Sequence, residues 1–324
     1  MFHLVDSMIS YRILILALFV GFIAADEQFG PFTPDFVTFL NEHPVRNEYA
    51  ISSYKEYGPT GTFGGKTDNQ TMNAIHHPVL FVHGNSDSAL YFSKDSTGWT
   101  NSVRYFREQH YTGYELYGLT YGSRNLNNSL HNSITCRNLV GIRRFIESIL
   151  SYTHAEKMDI IAHSMGISLA RKAVQGGTVH MTEDQCDLGP SLAHRVDSLV
   201  AIAGANYGMC LCLNEVAVNM PACGPEGFGP GTCGRTEDGT EENCRVKENS
   251  CERDDYSSVL QQINKGPKEA AFVASLWSNS DHVLGINNVA WGRTTSLVKD
   301  LTFADQFTLV TTHSRHGGRP RRIY

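Results

Sequence analysis

The segment with the most specific chemical pattern is Ala162-His163-Ser164-Met165-Gly166, in which small residues stand two positions before and two positions after a serine. It fits the pattern G-x-S-x-G with alanine in the first place, and that pattern marks a sharp strand-to-helix turn. Small residues are needed there because larger side chains would strike the neighbouring strand or helix. A serine exposed on such a turn acts as a nucleophile when a histidine takes its proton. We therefore predict Ser164 as a catalytic nucleophile, against the plainer interpretation of a serine that only caps a helix.

A second segment, His83-Gly84-Asn85-Ser86, follows the apolar run from His77 to Val82. When the nucleophile stands on such a turn, a loop after an earlier strand supplies one backbone N–H for the oxyanion. The residue after the serine supplies the other, so we expect the oxyanion hole to consist of the amides of Asn85 and Met165. They would stabilise the negative oxygen of a tetrahedral intermediate. The plainer interpretation of His-Gly-Asn is a turn.

The acid of a Ser-Asp-His triad follows the serine along the chain in this arrangement. Asp281 lies in a loop directly after the apolar run from Phe272 to Trp277. We predict it as the acid that holds the histidine ring, although an Asx-turn also explains an aspartate at a strand end. Asp300 and Asp305 are less suitable because no predicted strand precedes them.

The general base is expected after the last strand of the chain. We predict that strand over Phe307–Thr312 and assign the base to the next residue, His313, with His316 as the alternative. His282 is unsuitable because it adjoins the predicted acid, and side chains of neighbouring residues point apart. His163, beside the nucleophile, is expected to pack and not to react.

Apolar runs and helical patterns alternate along the chain, and together they would position these residues. Besides the runs already named, similar, largely apolar segments without regular alternation cover Tyr114–Tyr121, Met158–Ala162 and Ser198–Ala205. Runs without polar alternation predict strands that are buried on both faces. Helices are predicted after Cys136, as far as Leu150, and from Gly166 to Val174. The alternation predicts an α/β protein with a mostly parallel central sheet flanked by helices.

Two segments depart from this alternation. Residues 26–75 are polar and aromatic, with prolines at positions 31, 34 and 44, and are predicted as an extended N-terminal arm. Residues 208–251 carry six of the eight cysteines and lack sustained periodicity, so they are predicted as an insertion stapled by two or three disulfides. Zinc is the weaker interpretation of these cysteines, because no C-x-x-C pair with a histidine partner follows.

Composition and the N-terminus indicate location and partners. The 324 residues carry a net charge of −6 without a long basic stripe, so nucleic acid is not expected as a partner. The apolar run Ile13–Ala25 is shorter than the ~20 residues of a membrane-spanning helix. It predicts a cleaved signal peptide over residues 1–25, with an uncleaved anchor as the alternative. We expect a secreted protein without a stable membrane span, one domain over residues 26–324, and glycosylation sequons at Asn69 and Asn127.

Several stretches of the chain together resemble the class 2 lipase family. They are His77–Ser86, Thr120–Gly122, Met158–Gly166 with Ala170–Ala173, and Ala201–Gly208, within a resemblance that covers residues 30 to 290. The family contains secreted nematode lipases and is related to small bacterial lipases with an Ala-His-Ser-Met-Gly turn. The resemblance implies an α/β-hydrolase fold, a triad in which Asp281 matches the acid, and hydrolysis of carboxylic esters, triacylglycerols included. No metal or organic cofactor is implied.

Three functions are therefore open. The leading one is a secreted lipase or esterase that acts on ester lipids. A lipid–water interface is then a candidate place of action. Apolar residues of the insertion would then flank an acyl site or touch a lipid surface, or they form only a structural cap. These residues are Leu211, Leu213, Val216, Val218 and Met220. The second is an acyltransferase or a non-lipid esterase of the same fold, because the triad does not choose the acyl acceptor. The third is a catalytically silent binding protein. The short C-terminal segment favours it: in the family a helix normally follows the catalytic histidine, whereas here only eleven residues, poorly suited to a helix, follow His313.

Overall fold

A β-sheet organises the part of the chain that the computed structural model describes, namely residues 28–67, 75–233, 239–248, 251 and 253–307. The strands are β1 (Thr62–Phe63), β2 (Val79–Val82), β3 (Leu116–Leu119), β4 (Met158–His163), β5 (Thr178–His180), β6 (Gln185–Asp187), β7 (Val196–Ile202), β8 (Phe272–Ser278), β9 (Val289–Ala290), β10 (Arg293–Thr294) and β11 (Phe303–Phe307). The helices are α1 (Pro34–Glu42), α2 (Glu48–Tyr57), α3 (Thr100–Glu108), α4 (Cys136–Thr153), α5 (Met165–Gln175), α6 (Glu241–Cys244) and α7 (Ser258–Lys265).

Seven of these strands form one sheet in the order β1-β3-β2-β4-β7-β8-β11. The pairing is parallel between β2 and β3, between β7 and β8, and between β8 and β11, whereas β1 pairs antiparallel with β3. Every residue of β2 and β3 is buried, as expected for strands that are covered on both faces. The predicted mostly parallel sheet with flanking helices is confirmed.

The described residues divide into two compact units. The first unit comprises the residues up to 83 together with 87–121 and 141–160, and the second comprises 84–86, 122–140 and the residues from 161 onwards. Strand β4 contributes to both. In the first unit the Asp159 N–H donates to the Pro78 carbonyl at 2.9 Å. In the second unit the N–H of Ser164, which follows β4, donates to the Ile202 carbonyl at 2.9 Å. The single domain over residues 26–324 stays a prediction.

The N-terminal segment forms the helices α1 and α2, so the prediction of an extended arm is wrong for these residues. Pro34 does not interrupt α1, because it lies at the start of the helix, where a backbone N–H has no intrahelical acceptor. The Thr33 hydroxyl caps this end by accepting a hydrogen bond from the Phe36 N–H at 3.3 Å. Phe36 is fully buried and packs edge-on against Tyr117 of β3, with ring centroids 5.3 Å apart. This aromatic contact fastens α1 to the sheet within the first unit.

The helices on either side of β4 lie close to their predicted positions, whereas the last strand does not. α4 begins at Cys136, and α5 extends one residue beyond each predicted end before Gly176 terminates it with a φ of 71°. β11 begins at Phe303, four residues before the predicted strand, and pairs parallel with β8. Its exposed or half-buried residues Ala304, Asp305 and Gln306 hide it from a search for unbroken apolar runs. Residues 308–312 of the predicted strand lie outside the described residues.

All eight cysteines form disulfides, and the bridges are Cys136–Cys186, Cys210–Cys244, Cys212–Cys223 and Cys233–Cys251. Three of them lie within residues 208–251, so the prediction of a disulfide-stapled insertion is confirmed. Cys210, Cys244 and Cys251 pack with Ala290 and Trp291 in a small buried cluster. The Trp291 N–H donates to the Cys244 carbonyl at 2.9 Å, and the Cys251 N–H donates to the Trp291 carbonyl at 3.1 Å. The insertion therefore obtains part of its core from the residues beside β9.

None of the helices in the described ranges combines the length and the apolarity needed to cross a membrane. The predicted signal peptide and the sequon at Asn69 lie outside these ranges. The sequon at Asn127 lies on the 3₁₀ helix Leu126–His131, where Asn127 is exposed.

A buried carboxylate in the first unit accepts hydrogen bonds from three backbone N–H groups. Glu115, just before β3, is 1% exposed. Its two oxygens accept hydrogen bonds from the N–H groups of Ile75 at 2.7 Å, His76 at 2.8 Å and Thr112 at 2.7 Å. Burial raises the pKa of Glu115, but the hydrogen bonds from His76, Thr112 and Ile75 outweigh it, and the pKa lies below its ordinary value.

We expect Glu115→Gln to lower the free energy of unfolding by about 2 kcal/mol at neutral pH, because the charged acceptor of several hydrogen bonds is lost. A carboxyl with a depressed pKa stabilises the fold above its unfolded pKa of ~4.3, and this contribution disappears as the pH falls through the folded pKa. Denaturant unfolding between pH 7 and pH 3 should therefore show a difference between wild type and variant that shrinks with falling pH. The exposed Glu108→Gln is the control. A difference that is the same at every pH would contradict this prediction.

Candidate active site

Ser164 stands at the junction of β4 and α5, in a backbone conformation that few residues other than glycine adopt. Its φ is 50° and its ψ is −126°. Two hydrogen bonds hold the junction: the Ser164 N–H donates to Ile202 of β7 at 2.9 Å, and the Ile167 N–H donates to the Ser164 carbonyl at 3.0 Å. The half-buried Ser164 side chain makes no capping hydrogen bond to α5, so the plainer interpretation as a cap does not apply. A strained backbone at an otherwise well-packed junction is typical of functional sites.

The residue after Ser164 begins α5, a helix of eleven residues. The first N–H groups of a helix have no acceptor within it and carry a partial positive charge. Such amides are suited to stabilising a developing oxyanion. The Met165 side chain is 2% exposed, and its burial anchors this end of the helix. The Met165 amide therefore has the local environment expected of an oxyanion donor.

The loop that contains Asn85 lies against Ser164. A Cβ atom placed on Gly84 would lie 3.1 Å from the Cβ of Ser164 and 2.7 Å from Nδ1 of His163. The 2.7 Å contact would force a shift and the 3.1 Å contact is tight, so glycine is favoured here by close approach. Asn85 follows Gly84 directly, and its amide stays the predicted second oxyanion donor.

Side-chain hydrogen bonds hold this loop in place. The Asn85 side chain donates from Nδ2 to the Ser129 carbonyl at 2.8 Å. Its Oδ1 accepts from the Ser86 hydroxyl at 3.1 Å and from Nδ2 of Asn132 at 2.6 Å. Asn132 also donates to the Ser86 hydroxyl oxygen at 3.1 Å. The sequence gives no signal for Asn132, because an isolated asparagine in a polar loop carries no pattern, and Ser129 stands out only as part of the sequon at Asn127.

His83, at the start of the same motif, is occupied by structural contacts in the first unit. Its Nε2 accepts a hydrogen bond from the Tyr121 N–H at 3.0 Å, and its ring stacks on that of Tyr121 with centroids 4.1 Å apart. The Tyr121 hydroxyl donates to the His83 carbonyl at 2.6 Å, and burial raises the pKa of Tyr121 well above its ordinary value. An Nε2 that accepts a backbone hydrogen bond belongs to a neutral imidazole, so His83 serves the fold.

Asp281 lies in the loop after β8 and is 2% exposed. Its Oδ1 accepts hydrogen bonds from the N–H groups of Val283 at 2.9 Å and Leu284 at 3.0 Å. This is the Asx-turn that the sequence left open, and it gives the carboxylate a defined orientation. A turn of this kind is compatible with the role of triad acid, which needs a carboxylate held in place to orient a histidine. The alternative Asp305 lies within β11.

The predicted base lies beyond the described part of the chain. His313 and its alternative His316 both follow residue 307, where the described residues end. The structure therefore brings together Ser164, Met165 and the Gly84–Ser86 loop, and places Asp281 at the end of β8. The choice between the two histidines stays a prediction.

A buried guanidinium on α5 is a feature whose role the sequence did not reveal. Arg171 is 1% exposed, and its Nε donates to Glu269 at 2.7 Å. Its Nη1 donates to the side-chain oxygens of Asn206 at 2.8 Å and Asn264 at 2.9 Å. The network compensates the buried charge and ties the helix behind Ser164 to the segments after β7 and around α7. The signal that could have revealed this role is the presence of the charged Arg171 within a largely apolar helix.

The comparison of the chain with family models agrees with this geometry. Residues 76–315, well over half of the chain, match the model described as Lipase (class 2). The chain belongs to the class 2 lipase family. The family predicted from the sequence is confirmed, as is the α/β-hydrolase fold. The predicted enzyme class, a carboxylic ester hydrolase, is the class of this lipase family.

Several solved structures are similar to the chain at low sequence identity. Aspergillus fumigatus lipase B is 13% identical, with a TM-score of 0.40, and the match covers 72% of this chain and 44% of that one. Bacillus licheniformis lipase BlEst2 in its propeptide form is 12% identical, with a TM-score of 0.43, over 76% of this lipase-family chain and 48% of that one. The naproxen esterase of Bacillus subtilis is 11% identical, with a TM-score of 0.35, and the match covers 86% of this chain and 92% of that one. The chain thus spans less than half of the first two proteins, and no curated protein sequence matches it.

We expect Gly84→Ala to slow the reaction of Ser164 with a fluorophosphonate by at least about tenfold, because the added methyl group must displace the loop or the nucleophile, and small displacements of reacting groups are costly. Gly224→Ala is the matched control, since its Cβ would meet its nearest neighbour, the Pro221 carbonyl, at 3.6 Å. Labelling rates would be measured on variants with wild-type circular dichroism. Equal rates for Gly84→Ala and Gly224→Ala would contradict the close approach of the loop to Ser164.

Proposed function

We propose that this class 2 lipase family member is a secreted serine esterase that hydrolyses carboxylic esters of lipids. The observation that carries the proposal is the conformation of Ser164, whose φ of 50° at a strand-to-helix junction keeps its hydroxyl out of the cap of α5. The Gly84 loop, which approaches Ser164 closely, supports the same function, since it can supply the second oxyanion donor.

In the proposed mechanism the Ser164 oxygen attacks the ester carbonyl while His313 takes its proton. Asp281 orients the histidine and stabilises the imidazolium that forms. The tetrahedral oxyanion accepts hydrogen bonds from the N–H groups of Met165 and Asn85, and loss of one such donor typically costs about 10²–10³ in rate. The intermediate collapses to an acyl-enzyme, and His313 returns its proton to the leaving alcohol. Water then releases the fatty acid by the same steps, without a metal or an organic cofactor.

The substrate class rests on family membership and on the surface of the insertion. Val216 and Val218 are 73% and 44% exposed, although they flank the buried Ala217. The Cys212–Cys223 disulfide closes the loop that carries them. A constrained loop that presents two aliphatic side chains is suited to contact with a lipid surface. Four disulfides also fit an oxidising compartment, which supports the proposed export and the proposed glycan at Asn127.

A fluorophosphonate probe tests the proposed triad, because it reacts only with a serine that a working base has activated. The chain would be expressed through a secretory pathway, and Ser164→Ala would serve as the folded control. We expect the wild type to be labelled, Ser164→Ala and His313→Ala to remain unlabelled, and His316→Ala to be labelled at nearly the wild-type rate. If labelling is lost in His316→Ala and kept in His313→Ala, the general base is His316 and not His313. A well-folded wild type that is never labelled would leave the hydrolase proposal without support and favour a binding role.

We expect the double substitution Val216→Asp and Val218→Asp to reduce hydrolysis of emulsified long-chain esters by roughly tenfold or more, since burial of one valine contributes about 1.5 kcal/mol. Hydrolysis of a soluble short-chain ester should stay unchanged. Val45→Asp is the control, because Val45 is also exposed, at 89%. Binding to zwitterionic vesicles would be measured beside activity. An equal decrease on both substrates, or unchanged vesicle binding, would contradict lipid contact by this loop.

A further inference from the structure

The backbone directly after the proposed oxyanion donor adopts an unfavourable conformation. Ser86 has a φ of 58°, in the left-handed region that favours glycine. A conformation of this kind persists only where the surroundings hold it. Because Asn85 shares a peptide bond with Ser86, relaxation of Ser86 would turn the plane of the neighbouring peptide and redirect the backbone around Asn85. Something in the structure must therefore hold this loop.

Asn132 provides the contacts that hold it. Its Nδ2 donates both to Oδ1 of Asn85, at 2.6 Å, and to the Ser86 hydroxyl oxygen, at 3.1 Å. The Ser86 hydroxyl in turn donates to the same Asn85 oxygen at 3.1 Å, which closes a triangle of hydrogen bonds. The other end of the Asn85 amide donates to the Ser129 carbonyl at 2.8 Å. Both polar ends of the Asn85 side chain are thus fixed by residues 129–132.

The segment that carries Asn132 is itself anchored at both sides. Asn132 ends the 3₁₀ helix Leu126–His131, and its own N–H donates back to the Ser129 carbonyl at 3.3 Å. Two residues later the Ile134 N–H donates to the Glu226 carbonyl in the cysteine-rich insertion at 2.8 Å, with Ile134 fully buried. The Cys136–Cys186 disulfide follows. Since the anchors lie outside the loop, Asn132 can transmit their rigidity to Asn85.

We propose that Asn132 is a positioning residue for the oxyanion hole: through Asn85 and Ser86 it aims the Asn85 N–H at the oxyanion. The inference rests on the proposed function, in which that amide is an oxyanion donor. It assigns to Asn132 an effect on the transition state and none on binding of the uncharged ester, because the ground-state carbonyl carries little of the charge that the amide stabilises.

Two variants test this assignment. Asn132→Ala removes the contacts, and Asn132→Asp keeps the shape of the side chain while it replaces the donating amide by an accepting carboxylate. We expect either variant to lower kcat on a soluble short-chain ester by about 10- to 100-fold, part of the loss seen when an oxyanion donor is deleted, with KM changed less than about twofold. Asn128→Ala is the matched control, because Asn128 is an exposed asparagine on the same 3₁₀ helix.

A tetrahedral adduct supplies a readout that a purely structural role would not change. An arylboronic acid forms a boron–oxygen bond with the serine hydroxyl, whose proton passes to the base, and the resulting anionic boronate resembles the intermediate. We expect its affinity to fall in the Asn132 variants by the same factor as kcat, while circular dichroism and the midpoint of thermal unfolding stay close to wild type. Unchanged kcat and boronate affinity, a rise in KM alone, or an equal loss in Asn128→Ala would overturn the assignment. A wild type that fluorophosphonate does not label would instead overturn the proposed function, and this inference with it.

Discussion

The positive φ of Ser164 is the constraint on which the rest of the candidate site depends. A residue with a side chain and a φ of 50° is strained by on the order of 1–3 kcal/mol, and it keeps that conformation only if the segments before and after it are held. On one side β4 lies within the sheet, and the Ser164 N–H donates to Ile202 of β7. On the other side all eleven residues of α5 are buried. The packing that offsets the strain is therefore the same packing that withholds the Ser164 hydroxyl from the helix and leaves it available for chemistry.

Complete burial of α5 has a cost, because it carries a guanidinium into the interior. Arg171 is compensated by Glu269 and by the side-chain oxygens of Asn206 and Asn264. Loss of one partner from a buried ion pair typically destabilises a protein by about 3–5 kcal/mol, since the other charge is left without compensation. The network thus makes the position of the helix behind Ser164 depend on the segment that follows β7. Stability of the fold and the backbone geometry at Ser164 are coupled through these few side chains.

The parts of the fold and site that could be predicted from the sequence depend on local patterns. Largely apolar runs are enough to locate β2, β4 and β8, and the spacing of Ala162 and Gly166 around Ser164 is enough to locate the turn. The pattern does not reveal α1, because Pro34 resembles an interruption, although proline is favoured in the first turn of a helix. The Asn132 contacts could not be predicted, because their partners lie 46 and 47 residues away along the chain and asparagine has no characteristic spacing.

The cysteine-rich insertion illustrates how two interpretations of one segment can both apply. A structural role is served by Glu226: its carbonyl accepts a hydrogen bond from the Ile134 N–H, and its carboxylate accepts hydrogen bonds from the Thr182 N–H at 2.7 Å and hydroxyl at 2.6 Å. Lipid contact, by contrast, would be served by the exposed side chains of Val216 and Val218. The two roles use different residues, so neither excludes the other. A disulfide-constrained loop suits both, because rigidity supports the segment that holds the Gly84–Ser86 loop and also lowers the conformational entropy lost when aliphatic side chains bind a surface.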